Sequence, residues 1–285
     1  MKDQIWLNGT IMPLAEARIG VEDRGFQFAD GVYEVARIYS GRCFVLREHL
    51  ERLQRSAEAI HLKLPYSIDT FFQSIEDFVA ASGLSDGMVY LQVTRGCSPR
   101  NHLFPECSST ALFYTRALPP VPSPGTSRGE RVLTVPDERW SKCWIKSIAL
   151  LPNVLAKNEA AQSNADEAIF VDHGVVTEGS ITNLFAVIGN TIVTHPAGAK
   201  VLPGITRAIV LSIAGELGIK IDERPPALEE VQAADEAFLT GTTRELMWIS
   251  HWNGRQLWTQ CGPTTLRLHK AFQAKVSASV EAGTT

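Results

Sequence analysis

The tract LPPVPSPGTSRG, residues 118–129, holds four prolines and two glycines in twelve positions. Proline removes a backbone donor and fixes φ, and it drives the residue before it out of the helical region. Neither a helix nor a central strand can run through such a segment, so the chain is expected to fold as two bodies joined by it. The expected division is a domain over 1–117, a linker over 118–129 and a second domain over 130–285. At 285 residues, both bodies can bury a core without disulfides.

Periodicity assigns each half its class. IWLNGTIMPL reads as a hairpin on Asn8-Gly9, and VYEVARIYSGRCFVL as strands around Ser40-Gly41. In FVLREHLERLQRSAEAIHL, Leu46, Leu50, Leu53, Ala57 and Ile60 recur at helical spacing, while IDTFFQSIEDFVAASGL is a second amphipathic helix closed by Gly83. The strands MVYLQVTRG and TALFYTRA complete a small α+β domain. Beyond the linker, RVLTVPDE, KCWIKSIAL, EAIFVD, VVTEGSI, NLFAVIGNTIVTH and EAFLTG are strand candidates, with turns at His173-Gly174 and Gly189-Asn190. Helices are expected over 153–163, 205–217, 227–234 and 264–278. The fold class is therefore α/β in the α+β sense, with a small N-terminal domain and a larger, strand-rich C-terminal domain carrying peripheral helices.

Several function classes drop out. The net charge is −4 and no basic stripe with interleaved aromatics occurs, so no nucleic-acid partner is expected. The N-terminus lacks the apolar core of a signal peptide and the longest apolar runs fall short of a membrane span, so a soluble, cytoplasmic protein without a membrane partner is expected. Five scattered cysteines without a CxxC pair argue against a disulfide framework and against a zinc site, and they suit a reducing cytosol; no metal is expected.

Chemistry-bearing residues stand out in a few places. Lys142 and Lys157 read as solvated, whereas Lys146 lies between Trp144-Ile145 and IALL, in apolar company that disfavours the charged form. It is either an amine nucleophile or a strand-edge lysine that snorkels to water. Pro203-Gly204 precedes a helix opening at Ile205 and Thr206, whose free N–H groups suit an anion or simply make an ordinary strand-to-helix turn. A second hydroxyl-rich turn, TGTTRE at 240–245, could converge on the same phosphate. Arg52 borders the apolar face of its helix, where it would pair with phosphate oxygens or solvate the surface. Glu178 is either an inward charge partner or a turn residue. Arg100 and His102, two apart in an extended loop, project to one side as a cationic fork for a carboxylate or stand solvated.

Seven blocks bind these pieces together: EDRGFQFADGVYEV (22–35), EHLERL (48–53), VTRGCSPRNHLFPE (93–106), IKSIALLPNVLAKNEA (145–160), VTEGSITNLF (176–185), LPGITR (202–207) and TGTTRE (240–245). In this order and spacing they resemble the class IV, fold-type IV, pyridoxal-phosphate aminotransferases, and within them the D-amino-acid aminotransferases. The resemblance implies pyridoxal 5'-phosphate as cofactor, Lys146 as its Schiff-base lysine and the base at the substrate Cα, and Glu178 as the acid paired with the pyridine nitrogen. It implies a phosphate cradle of Arg52, Ile205, Thr206 and Thr242, and a carboxylate trap of Tyr33, Arg100 and His102. The implied reaction passes an amino group from a D-amino acid to a 2-keto acid by ping-pong kinetics, in a homodimer whose partner loop completes each site. Alternatives of the same fold are a branched-chain L-amino-acid or (R)-amine transaminase, an aminodeoxychorismate lyase, or a non-catalytic cofactor-binding dimer. Ile181 and Thr182 stand where serines follow EGS in the bacillary enzymes, and Gly241 stands for a serine, so contacts near the ring and phosphate are expected to differ.

Overall fold

The structure, a computed structural model, describes residues 3–282. The chain forms two compact units. The first takes the chain up to Pro120, the segment Ile145–Ala149 and the chain from Ser279; the second takes Val121–Trp144 and Leu150–Ala278. The proline-rich tract thus contains the main division, but Ile145–Ala149, in the half assigned to the second domain, belongs with the first unit.

In the first unit, β1 (Gln4–Leu7) and β2 (Thr10–Pro13) form the expected hairpin, with Asn8 and Gly9 at φ 50° and 91°. A short helix α1 (Arg24–Phe28) leads into β3 (Gly31–Tyr39) and β4 (Arg42–Cys43). Helices α2 (Leu46–Ala59) and α3 (Ile68–Ser82) follow, then β5 (Gly87–Thr94) and β6 (Thr110–Ala117). Ser67 caps α3 by accepting from Thr70 N at 3.1 Å, and Gly83 ends it at φ 65°, where a side chain would be strained. The strands form one antiparallel sheet in the order β2-β1-β6-β5-β3-β4. Val32, Ala36 and Ile38 of β3 share a buried core with Leu50 and Leu53 of α2 and Phe71 and Ile75 of α3. Leu50 and Leu53 are 0 % exposed, and burying each contributes about 1.5–3 kcal/mol. Period-2 alternation also puts Glu34 on this core side and turns Tyr33 to the opposite face.

The second unit opens with β7 (Glu130–Pro136), α4 (Leu151–Gln162), β8 (Glu167–Asp172) and β9 (Val175–Gly179). It continues through β10 (Asn183–Ile188), β11 (Thr191–Thr194), α5 (Ile205–Glu216), β12 (Lys220–Glu223) and α6 (Leu228–Gln232). The last elements are β13 (Glu236–Gly241), β14 (Glu245–Trp252), β15 (Arg255–Gln256) and α7 (Pro263–Ala282), which belongs to this unit up to Ala278. The mixed sheet runs β12-β11-β10-β13-β14-β7-β8-β9, with β15 on β14. Phe185 of β10 and Phe238 of β13 stack with centroids 5.0 Å apart and rings 1° from parallel.

Two expectations change. KCWIKSIAL is not a strand: Ser147 makes one isolated bridge, to Val32, and the rest of 142–150 is irregular. Strand β14 was not among the expected strands, because its residues are buried almost continuously and show no alternation to read. No helix among the described residues is long and apolar enough to cross a membrane.

Candidate active site

The candidate side chains fall in both units. In the first, Ile145–Ala149 lies along the edge of β3: Tyr33 N–H donates to Lys146 O at 3.1 Å, and Ile148 N–H to Gly31 O at 3.1 Å. A further tie runs from Lys146 N–H to Ser56 Oγ, also 3.1 Å. The amine is aimed at Tyr33, with Nζ 3.3 Å from the phenol oxygen and 4.3 Å from the ring centre. Lys146 is half-buried, so the expected apolar enclosure is only partial, and its nearest partner is an aromatic hydroxyl. Lys142 is exposed as expected. Lys157 is not merely solvated: its ammonium donates to Asp166 O and lies 3.5 Å from Glu167 Oε1.

Beneath Tyr33, on the core side of β3, Glu34 is clasped by α2. Arg52 Nε and Nη2 donate to its two oxygens at 2.7 and 2.9 Å, and His49 Nδ1 is 2.8 Å from Oε2. Burial pushes the Glu34 carboxyl up, but Arg52 and His49 more than offset it and hold it well below the usual carboxylate range. Burial likewise lowers His49 despite the pull of Glu34. Arg52 is 3 % exposed, inside the apolar face and not on its margin, and two of its donors go to a carboxylate of its own chain. An acid at a core position of VYEVARI was the readable signal for this cluster.

Arg100 and His102 stand exposed in the β5–β6 loop and meet on one ring: the Arg100 guanidinium carbon lies 4.8 Å from the Phe28 centre, and the His102 ring 5.2 Å from it. Between them, Asn101 O accepts from buried Arg24. Arg24 Nε also reaches Asp30 at 2.8 Å, and Arg95 binds the same carboxylate at 2.8 and 3.0 Å. Burial raises the Asp30 carboxyl, yet Arg95 and Arg24 outweigh it and keep it below its ordinary value. None of Arg24, Asp30 or Arg95 was among the candidate residues.

In the second unit, Glu178 sits near the end of β9, buried. Its Oε1 accepts from Arg139, and its Oε2 accepts from Asn183 Nδ2 at 3.0 Å and Leu202 N–H at 3.1 Å. Burial pushes this carboxyl up to about 7, with Arg139 pulling the other way. Arg139 is anchored in turn by Asp137, at 2.9 and 2.8 Å, and by Lys200 O at 2.9 Å. Sequence reading missed Arg139, since the segment DERW gives no sign that its arginine meets Glu178.

Nearby backbone shapes an anion-friendly corner. Helix α5 begins at Ile205 and Thr206 with Gly204 as its N-cap and no side-chain cap bond, so a ligand can use its leading N–H groups. A Cβ on Gly204 would fall 2.0 Å from Asn183 Oδ1, which leaves room only for glycine. A Cβ on Gly241 would lie 3.5 Å from both Ile181 O and Thr182 Cγ2, so the EGSIT and TGTT turns do come together. Thr242 is half-buried in the β13–β14 turn. The hydroxyls of Thr182 and Thr240 are buried without a hydrogen-bond partner among the described residues. Buried donors of this kind beside an uncapped helix start fit a phosphorylated ligand. Among the described residues, no cluster of three or more His, Cys, Asp or Glu could hold a metal ion.

Residues 31–252 match the family Amino-transferase class IV. A D-alanine aminotransferase of Listeria monocytogenes is 39 % identical over 277 residues, covering 96 % of this chain and 96 % of that protein. Among solved structures, the branched-chain amino acid aminotransferase of Escherichia coli superposes with a TM-score of 0.87 at 26 % identity, covering 95 % of this chain and 94 % of that one. The branched-chain aminotransferase of the archaeon Thermoproteus uzoniensis, solved with norvaline, gives a TM-score of 0.85 at 29 % identity, covering 95 % and 93 %. With a family match across most of its length and a relative of this identity, the chain belongs to the class IV aminotransferases.

Proposed function

We propose that this chain is a pyridoxal 5'-phosphate-dependent transaminase that moves an amino group from a D-amino acid, of the D-alanine or D-glutamate type, to a 2-keto acid. Full-length similarity to a D-alanine aminotransferase supports the substrate class, and the observation that carries it is the pairing of Arg100 and His102 on one ring, Phe28. Arginine and imidazole held side by side make a fork for a carboxylate.

When bound, the cofactor supplies an aldehyde that takes up the substrate amine and a ring that accepts the electron pair left at Cα. Lys146 would hold the aldehyde end and move the proton at Cα, with the Tyr33 hydroxyl 3.3 Å away to orient its amine. Glu178, buried with a carboxyl pushed up to about 7, would hold the proton on the ring nitrogen, and Arg139 fixes its orientation. The start of α5, Thr206 and Thr242 would take the phosphate, with the unpartnered Thr182 and Thr240 hydroxyls nearby in sequence and strand register. Arg52, held on Glu34 by two of its donors, would add positive charge at the phosphate. We further infer a homodimer in which the loop bearing Arg100 and His102 of one protomer completes the site of the other. The exposed Val21, Phe26, Leu103 and Phe104, 80, 81, 75 and 59 % accessible, provide apolar surface for that assembly. A cytoplasmic setting agrees with five free thiols.

The test is to follow the visible absorbance of the cofactor-loaded protein on adding D-alanine, L-alanine, D-glutamate, L-leucine or (R)-phenylethylamine, each without a keto acid. Bleaching by the D-amino acids, restored by a 2-keto acid, is the expected outcome. Faster bleaching by L-leucine would move the protein to the branched-chain reading, and no bleaching with any donor would make it a non-catalytic binder.

A further inference from the structure

The loop that carries Arg100 and His102 has a cysteine at each side of its neck. Strands β5 and β6 pair antiparallel, with Gly87 opposite Ala117 and Thr94 opposite Thr110. The same register carried onward sets Gly96 opposite Ser108, and these backbones do touch: a Cβ on Gly96 would lie 1.9 Å from the Ser108 carbonyl oxygen. Cys97 and Cys107 flank this contact, one on each side of the neck, and Cys97 is bridged to Asp23. A disulfide needs Cα atoms about 4.4–6.8 Å apart, so the bridge requires the two sides of the neck to meet at that separation.

Both residues are free thiols, Cys97 exposed and Cys107 half-buried. Their sulfurs are turned apart, Cys97 Sγ toward Asp23 Oδ2 at 4.0 Å and Cys107 Sγ toward Arg95 O at 3.2 Å, so a change of χ1 has to bring them together. Burial raises the thiols of Cys43, Cys143 and Cys261, and burial together with Asp23 raises that of Cys97 as well, so it is their place on the two sides of the neck that singles out Cys97 and Cys107.

We propose that Cys97 and Cys107 form a reversible disulfide that closes the neck of the 98–106 loop and braces Arg100 and His102. With a small-molecule disulfide as oxidant, one protein thiol loses its proton to solvent and its thiolate attacks a sulfur of the oxidant, breaking that S–S bond and releasing one small thiol. The second protein thiolate then displaces the other small thiol. The protein gives up two protons and two electrons, and the oxidant takes both as two thiols. In a reducing compartment such a bridge is a transient, regulatory state. The bracing rests on the proposed carboxylate role of Arg100 and His102, whereas the bridge itself does not.

The loaded protein is treated with oxidised glutathione at about pH 9, which raises the thiolate fraction, then alkylated and digested with trypsin. Cleavage after Arg95, Arg100 and Arg116 leaves Cys97 in peptide 96–100 and Cys107 in peptide 101–116. The expected product is these two peptides joined, separated again by dithiothreitol. With it the KM for D-alanine changes several-fold and returns on reduction, while Cys97→Ser keeps the parent KM and ignores the oxidant. Glutathione on each cysteine without the joined pair would overturn the bridge. A joined pair with an unchanged KM would overturn the bracing. If the reduced protein does not process D-alanine at all, the functional proposal fails, and the joined peptide still decides the bridge.

Discussion

Replacing Arg139 by methionine is the sharpest probe of the second unit. Methionine keeps much of the length and none of the charge, so it strands Asp137 and Glu178, whose side chains are 0 % and 6 % exposed. Removing one partner of a buried ion pair costs about 3–5 kcal/mol, because the other charge stays desolvated. In a chain of this size each kcal/mol moves the melting temperature by about 2–4 °C, so Arg139→Met is expected to lower it by about 6–20 °C. The pH dependence adds a second signature. Glu178 is raised from 4.5 to about 7 in the folded protein, so the unfolded chain loses that proton first, and stability falls as pH rises through this window. Without Arg139 the folded carboxyl rises further, and the deficit of the variant is expected to grow between about pH 5 and about pH 8. Thermal unfolding followed by circular dichroism at both pH values measures this, with Asp137→Asn/Arg139→Met as a double variant that recovers part of the loss. A melting temperature within about 2 °C of the parent, or a deficit equal at both pH values, would refute the assignment of Arg139 as the cation that makes Glu178 tolerable.

Three other perturbations follow from the same kind of accounting. Glu34→Gln leaves Arg52 buried without its carboxylate and is expected to cost about 3–5 kcal/mol near neutral pH by chemical denaturation; because the folded Glu34 is held below its ordinary value, its contribution is present above 4.5 and lost as pH falls through the folded value, so parent and variant should converge in acid. Phe238→Ala removes one ring of the Phe185 stack and is expected to destabilise the protein by about 3–5 kcal/mol, read from the denaturation midpoint. Thr240→Val deletes a buried hydroxyl that has no partner among the described residues, so the cofactor-free protein should keep or gain stability, by up to about 1–3 kcal/mol, while pyridoxal phosphate binding measured by fluorescence quenching weakens. A loss of stability in the cofactor-free variant would show that the hydroxyl serves the fold instead.

Local signals were the legible part of this fold. Asn8-Gly9 and Ser40-Gly41 fixed their hairpins, and the stepping of Leu46, Leu50 and Leu53 fixed the buried face of α2. Strand β14 escaped because a strand buried on both faces has no alternation, and the segment around Lys146 was mistaken for a strand because apolar residues crowd a stretch held only by edge bonds. In the candidate site, Lys146, Tyr33 and Glu178 were named through the family resemblance and their roles are proposals, while Arg139, which holds Glu178, was not named. Arg139 lies 39 residues from Glu178 in sequence, and Arg24 lies 77 residues from Asn101. Such pairs form through sheet topology, so no window of sequence contains both partners.

The strip of chain that bears Lys146 has a second duty. An open strand edge invites pairing with another molecule, and proteins blunt it with short cover segments or charge. Beside the two-residue β4, the edge of β3 at Gly31 and Tyr33 is occupied by Ile148 and Lys146. Changes that loosen this strip would therefore do two kinds of harm at once: the amine loses its aim, and a bare β-edge is left for neighbouring molecules to join. With Lys146 in its proposed role, selection for solubility and selection for chemistry fall on the same five residues, Ile145–Ala149.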